Sequence, residues 1–382
     1  MKGILTTHPG MEDIASLEVK EIIGKESIRG ESCVVFDIDK YEDLFKLCYM
    51  SQSASGIYLL LCEFDFDNLF VDLEKSLEKI DLSQWLNKKN SFRVRCIKNS
   101  DISIDTPVIE KKAGEIIINR IQKNYNYKQN VSLENPDIPI FIYLTGEICY
   151  VAIDFAGFDL SIRIYKIFAE PSSIKGTLAF ALVKLSDYKK DESLLDCFAY
   201  SGMIAIEAAL HASKFSVNFF NKDKFAFLKM EQFNGFNFKN FFSKLDKRFN
   251  RFSLKIYSVD RSMKYVQYAK KNAKIAGIDK KITFSRFDLE WLDTKFEKSS
   301  INKIVAKLPL SSEEVVNKTY KEFFYQAEFI LDKKGKIIII ANKDIAGKYA
   351  AEYGFIISKS RSISSGSRNY DVLIIEKKRL NL

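Results

Sequence analysis

Residues 194–210 read LLDCFAYSGMIAIEAAL. Leu194 and Leu195 end a short apolar run that Asp196 closes, Ser201 and Gly202 supply a turn, and 204–210 continue as an alanine-rich apolar helix. The pattern is strand, turn, helix. In open α/β sheets a ligand lies across the carboxyl ends of the strands, where a loop of small residues admits backbone N–H groups and a helix N-terminus faces polar oxygens. A buried strand–helix crossover without a ligand gives the same pattern, so the neighbours of this stretch decide its meaning.

Downstream, strands and helices alternate from residue 178 onward, the signature of a mostly parallel sheet. Residues 255–259 form a strand ending in Asp260, and 263–276 a helix with Val266, Ala269, Ala273 and Ala276 on one stripe and Gly277 as its stop. Residues 282–284 are a third strand, followed shortly by Asp288; 303–306 are a fourth, 320–331 its helix and 336–341 a fifth. The segments 355–358 and 372–376 complete the sheet as an antiparallel edge pair. Asp196, Asp260 and Asp288 therefore stand at or just beyond the ends of three successive strands. In a doubly wound sheet an acid ending the second strand suits ribose hydroxyls, and one after the third suits an adenine amine. That layout fits an adenosine-containing ligand. The loop at Ser201-Gly202 has neither G-x-G-x-x-G nor a phosphate-cradling Lys-Ser/Thr, which speaks against NAD and ATP.

Upstream, residues 1–60 read as a small ferredoxin-like α+β unit with strands at 3–6 and 33–38 and helices at 11–23 and 41–50. Residues 61–168 form a second α/β module. Its strand at 91–97 places Arg93 and Arg95 on one side, its helix at 109–123 carries Lys111, Lys112, Arg120 and Lys123, and a strand pair flanks Thr145-Gly146-Glu147. Pro171-Ser172-Ser173 breaks regular structure and sets a boundary near 168–174, giving a third domain over 169–382. Within it, 214–255 holds twelve phenylalanines, with ten Lys/Arg against three Asp/Glu. Interleaved aromatic and basic residues suit single-stranded nucleic acid, while phenylalanines this dense also suit the core of an extra helical hairpin.

The 382 residues are 47% hydrophobic, which marks a globular chain of two or three domains. No apolar run approaches the roughly 20 residues that span a bilayer, and the chain is expected to be soluble, cytoplasmic and monomeric. Six scattered cysteines without C-x-x-C and two histidines argue against zinc, other metal sites, disulfides and Ser-His-Asp or Cys-His catalysis. The charge is uneven: 20 Lys/Arg against 27 Asp/Glu in residues 1–170, and 39 against 23 in 171–382. A basic excess of that size suggests a polyanionic partner such as RNA.

The segment DCFAYSGMIAIEAAL resembles the D-P-F-C-G-S-G-T-x-x-I-E-A-A motif of the archaeal THUMP-domain tRNA guanine-N2 methyltransferases. Leu160-Ser161-x-Arg163-x-Tyr165-Lys166 is similar to that family's L-S-x-R-G-Y-R, Lys175-x-Thr177-Leu178-Ala179 to the element opening its catalytic domain, and Phe225-Ala226-Phe227-x-Lys229-Met230 to its F-A-F-x-K-W insert. Asn135-Pro136-Asp137 and the strands after it resemble the THUMP core, so the likeness covers nearly the whole chain. It implies a Rossmann-like class I methyltransferase domain with a seven-stranded sheet behind a THUMP region, S-adenosylmethionine as cofactor, and tRNA held by its acceptor end. On this resemblance Asp196, Ser201 and Gly202 line the methionine end, Asp260 the ribose, and Phe287 with Asp288 the adenine. RNA contacts fall to Arg93, Arg95, Lys111, Arg163, Lys166 and Lys175.

Two positions depart from the family pattern. Tyr200 replaces the first glycine of the G-S-G loop, and Lys307-Leu308-Pro309-Leu310 stands where the family has Asn or Asp, Pro or Leu, Pro and an aromatic. The family's side-chain oxygen accepts protons from a poorly nucleophilic guanine amine while the aromatic ring stacks on the base. A charged lysine is a donor only, and about 5 Å from a sulfonium it is repelled by roughly 3 kcal/mol at an effective dielectric of about 20. Three readings therefore stand: tRNA guanine-N2 methylation, a catalytically impaired RNA-binding homologue, and a methyltransferase for another nucleobase or RNA.

Overall fold

The computed structural model describes residues 1–99, 102–250 and 252–378. Its backbone groups into two units, one of Met1–Thr7, Ala15–Leu160 and Asn218–Lys244, the other of His8–Ile14, Ser161–Val217 and Leu245–Leu382.

The first unit is built on β1 (Lys2–Thr6), α1 (Glu12–Ile23), β2 (Ser27–Gly30), β3 (Cys33–Asp37), α2 (Tyr41–Met50), β4 (Gly56–Asp65), α3 (Leu69–Leu77), β5 (Ser91–Asn99), α4 (Thr106–Tyr125), β6 (Asn130–Val131), β7 (Ile138–Thr145) and β8 (Ile148–Asp154). These strands make one eight-stranded sheet in the order β2-β3-β1-β4-β8-β7-β5-β6. The segments 1–60 and 61–168, expected as separate units, share this sheet because β4 pairs with β1 on one side and β8 on the other. The long apolar runs of β7 and β8 are buried almost throughout, as strands covered on both faces must be.

Residues 218–244 of the phenylalanine-rich insert belong to this unit, and its two ends to the other. Among its described residues the insert carries three short 3₁₀ turns and one helix rather than a helical hairpin. Phe225 and Phe227 are fully buried, and the Phe45 ring of α2 lies 4.4 Å from that of Phe227 and 4.9 Å from that of Phe233, beside Phe155 and Trp85. Aromatic pairs at these separations add about 0.5–1.5 kcal/mol each beyond their buried area. Packing, not base stacking, accounts for the buried phenylalanines.

The second unit contains α5 (Gly176–Leu185), β9 (Ser193–Asp196) and α6 (Met203–Ser213), and, after α7 (Phe238–Asp246) of the insert, β10 (Lys255–Asp260), α8 (Met263–Ile275), β11 (Ile282–Arg286), α9 (Leu292–Lys295), β12 (Ile301–Lys307), α10 (Glu313–Ile330), β13 (Leu331–Ile340), α11 (Lys343–Glu352), β14 (Phe355–Ser365) and β15 (Arg368–Lys377). The seven strands run β11-β10-β9-β12-β13-β15-β14, parallel except that β15 is antiparallel to both β13 and β14. Alternation along each strand feeds two cores. Leu194, Val305 and Ile338 face α5 and α6 on one side, and Leu195, Ile304, Ala306, Ile337 and Ile339 face Tyr320, Phe323 and Phe324 of α10 on the other. This is the class I methyltransferase architecture that the resemblance implies. From β9 the chain moves outward to β10 and β11, then returns to β12 on the opposite side of β9. That reversal opens a crevice at the carboxyl ends of β9 and β12. No helix among the described residues is long and apolar enough to cross a membrane.

Candidate active site

The loop after β9 is fixed by its neighbours rather than by its own side chains. Ala199 N donates to Val259 O at 3.0 Å, Tyr200 N to Asp260 Oδ2 at 3.2 Å, and Gly202 N to Ala199 O at 2.6 Å. Gly202 caps α6 at φ +80°, and a Cβ there would lie 2.7 Å from Ala269 Cβ on α8, so glycine is required both by conformation and by helix contact. Tyr200 also takes a left-handed backbone, at φ +45°. For a residue with a Cβ that conformation costs about 1–2 kcal/mol. The tyrosine therefore keeps the turn that the glycine of the family motif would make, at the cost of strain.

A cleft of about 730 Å³ opens at this point, lined among others by Tyr200, Asp260, Phe287, Asp288, Pro309 and Glu170. Its size is that of sites for small organic ligands. Asp260 is buried, which raises its pKa, and its oxygens accept from Tyr200 N and from Ser262 N at 2.8 Å. Phe287 N donates to Asp260 O at 3.0 Å, which sets the half-buried Phe287 ring beside the exposed Asp288 at the cleft wall. Asp196 is 1% exposed; burial pushes its carboxyl up to about 8, and Phe198 N donates to it at 3.3 Å. It lies with Ser201 and Tyr200 around a smaller hollow next to the cleft.

The segment after β12 divides. Lys307 is 7% exposed, burial lowers its pKa, and its Nζ donates to Ser172 O at 2.6 Å and lies 5.4 Å from the centre of the Tyr200 ring. Leu308 is fully buried in the α10 core and its N–H bonds Ile340 O, so its side chain is structural rather than catalytic. Pro309 lines the cleft, its carbonyl accepting from Tyr320 Oη at 3.2 Å. Leu310 is 55% exposed and does not line the cleft.

The expected RNA contacts also separate. Arg93 and Arg95 on β5 line one hollow of about 160 Å³ in the first unit, joined by Lys224 and Lys229 of the insert and by Asn135 and Asp154. Arg93 Nη1 donates to Leu133 O at 2.7 Å, Arg95 is exposed, and burial pushes Asp154 up to about 6. Lys111 on α4 and Lys175 before α5 are exposed. Arg163 is not available to RNA: its side chain is 2% exposed and Nε donates to the fully buried Glu207 at 2.6 Å, with Tyr165 Oη on the same carboxylate. Lys166 Nζ is turned inward onto the carbonyls of Ser173 and Ile174.

Sequence reading missed Asn272, Glu170 and Ser172. Asn272 is fully buried on α8 and donates to Phe168 O at 2.8 Å and Ser201 O at 2.9 Å, tying the segment before α5 to the loop after β9. A signal was present, since Asn272 falls between Ala269 and Ala273 on the apolar stripe and a polar residue there must find internal partners.

Comparison with known proteins agrees with this geometry. The RMKL-like methyltransferase domain matches residues 163–359, and the THUMP domain matches residues 69–154. The chain is 30% identical over 377 residues to the tRNA (guanine(6)-N2)-methyltransferase of Methanocaldococcus jannaschii, a match covering 96% of this chain and 97% of the relative. A protein of the same name from Archaeoglobus fulgidus is 25% identical over 364 residues, covering 94% and 88%. The crystal structure of SMU.472 complexed with SAH shares the fold over 100% of this chain and 99% of that one, with a TM-score of 0.82 at 21% identity. With a doubly wound sheet, a cleft at its reversal point and matches along almost its full length, the chain belongs to the THUMP-containing RMKL-like methyltransferases.

Proposed function

We propose that this chain transfers a methyl group from S-adenosylmethionine to the N2 amine of a guanosine in the tRNA acceptor stem, at the position for which its two archaeal relatives are named. The cleft at the ends of β9, β10 and β12 carries the reading, because it gathers Asp260, Phe287, Asp288 and Pro309 around a volume suited to a nucleoside. The residues present fit the cofactor. Ser201 Oγ is buried with no hydrogen-bond partner among the described residues, as a group waiting for a ligand would be. Asp260 ends β10 where a ribose is held, and Phe287 with Asp288 offers a flat apolar face beside an acceptor for an adenine amine. When bound, S-adenosylmethionine supplies a methyl group on a sulfonium, whose departure leaves a neutral sulfide. In the first unit Arg93, Arg95, Lys224 and Lys229 supply the cationic surface for RNA phosphates, with Lys111 as a further exposed cation there and Lys175 as one on the second unit.

One observation favours a second reading, RNA binding without turnover. Lys307 closes β12 as a hydrogen-bond donor to Ser172, so it offers no oxygen to accept a proton from the guanine amine. Incubating the protein with cofactor and unmodified tRNA transcripts, followed by nucleoside mass spectrometry, tests both. N2-methylguanosine is the expected product. Its absence, with retained SAH binding and with product appearing on Lys307→Asn, establishes the second reading, and a different methylated nucleoside corrects the substrate.

A further inference from the structure

Three polar groups around the loop after β9 lack the partners that burial demands. Glu170, in the segment before α5, has its Oε1 buried with no hydrogen-bond partner among the described residues, although the residue lines the cleft with Tyr200 and Asp260. Ser201 Oγ is in the same condition. Lys307 Nζ makes a single hydrogen bond among the described residues, to Ser172 O. A protonated amine carries three donors, so two of these are left over in a place only 7% exposed. The groups form one electrostatic neighbourhood: the charge of Glu170 acts on Lys307, Tyr200 and Asp260 alike. Ser172 and Tyr200 line both the cleft that holds Glu170 and the adjoining hollow that holds Lys307 and Ser201, so the two spaces share a wall.

A buried carboxylate oxygen on the half-buried Glu170, two spare ammonium donors and a buried hydroxyl are costly to leave without partners unless a ligand answers them. The ligand must itself carry both signs a short distance apart. We propose that Glu170 and Lys307 hold the two charges of an α-amino-acid group, Glu170 its ammonium and Lys307 its carboxylate, with the Ser201 hydroxyl beside them. The left-handed turn at Tyr200 then has a use, since it sets the ring beside Lys307, 5.4 Å from Nζ. In the cofactor proposed above that group is the methionine end, and the inference rests on that reading. It also gives Lys307 a role that needs no proton acceptor.

Isothermal titration of the full-length protein with two ligands separates the possibilities. SAH carries the amino-acid group, and 5′-deoxy-5′-methylthioadenosine has the same thioadenosine without it. The wild type is expected to bind SAH at least tenfold more tightly than methylthioadenosine. Glu170→Gln and Lys307→Met should each weaken SAH at least tenfold while changing methylthioadenosine less than twofold, which also reports that the cleft is folded. Unchanged SAH affinity in both variants overturns the inference, as does parallel loss of both ligands, which is the mark of a structural role. Equal wild-type affinity for the two ligands overturns the amino-acid clamp alone. A wild type that binds neither overturns the proposed function with it.

Discussion

Arg163→Met separates a structural arginine from an RNA contact. The guanidinium and the Glu207 carboxylate are 2% and 0% exposed and meet at 2.6 Å, and Tyr165 Oη donates to the same carboxylate. No side chain would fit at Gly176, where a Cβ would lie 2.5 Å from Glu207 Oε1 and 2.6 Å from Arg163 Cγ, so the pair sits in a tight socket. Removing the arginine takes the guanidinium counter-charge from a fully buried carboxylate, which costs about 3–5 kcal/mol. At about 2–4 °C per kcal/mol for a unit of this size, the melting temperature should fall by about 6–20 °C. Adding Glu207→Gln removes the stranded charge, keeps an acceptor for Tyr165, and should recover most of the loss. Calorimetry on the wild type, single and double variants measures this, with tRNA affinity measured well below each transition and expected to stay within twofold. An unchanged melting temperature accompanied by a large loss of tRNA affinity would falsify the structural assignment.

Two further outcomes follow from other buried or clustered charges. The Asp196 carboxyl is raised by burial to about 8 in the folded chain, so between about pH 4 and 8 the folded form binds more protons than the unfolded one. Stability from this group is full below about pH 4 and is lost as the pH rises through about 8. Between pH 5 and 7 the loss is about 3 kcal/mol, and Asp196→Asn should remove it; identical pH slopes in urea unfolding of wild type and variant would count against the buried, partner-poor carboxylate. In the first unit, Arg95→Ala and Lys229→Ala should each weaken tRNA binding and reduce the slope of log affinity against log salt by roughly 0.7–0.9, read by fluorescence anisotropy at several salt concentrations. Slopes unchanged from the wild type would remove that hollow from the RNA-binding surface.

The parts of this fold that were legible in the sequence are those set by short-range periodicity. Leu194 and Leu195 point to opposite cores as adjacent strand residues must, Asp260 and Asp288 fall beside one cleft because each follows a strand of one parallel sheet, and Arg93 and Arg95 share a hollow because they are two apart on β5. The antiparallel edge pair was legible too, at 355–358 and 372–376, but not the extension of its strands to Ser365 and Arg368. What escaped is set by partners far away in sequence. Arg163 looks like any solvated arginine until Glu207, 44 residues on, is seen to take it inward. Glu170 is one acid in an irregular segment, and only the fold brings it to the loop at Tyr200. Leu308 and Leu310 differ in burial because β12 ends at Lys307 and only Leu308, still tied by its N–H to Ile340 O, stays in the α10 core, a boundary that apolar composition does not mark.

The route of the chain through its two units bears on how the protein is made. Residues 218–244, which bring Phe227 and Phe233 to Phe45 and Phe155, are translated well after the sheet of the unit they belong to. At about 5–20 residues per second, the interval between residues 160 and 244 is roughly 4–17 s. Through that time the nascent N-terminal half carries an open aromatic socket, a target for chaperones and a hazard for aggregation. The second unit has the opposite debt, for Met11 and Ile14 leave the ribosome first and wait for Ile363 and Val372 near the end of its core. Neither unit is a contiguous segment, so a fragment cut at residue 160 has an unfinished core, and a circular permutant that keeps 218–244 with the first sheet is the better vehicle for studying that unit alone.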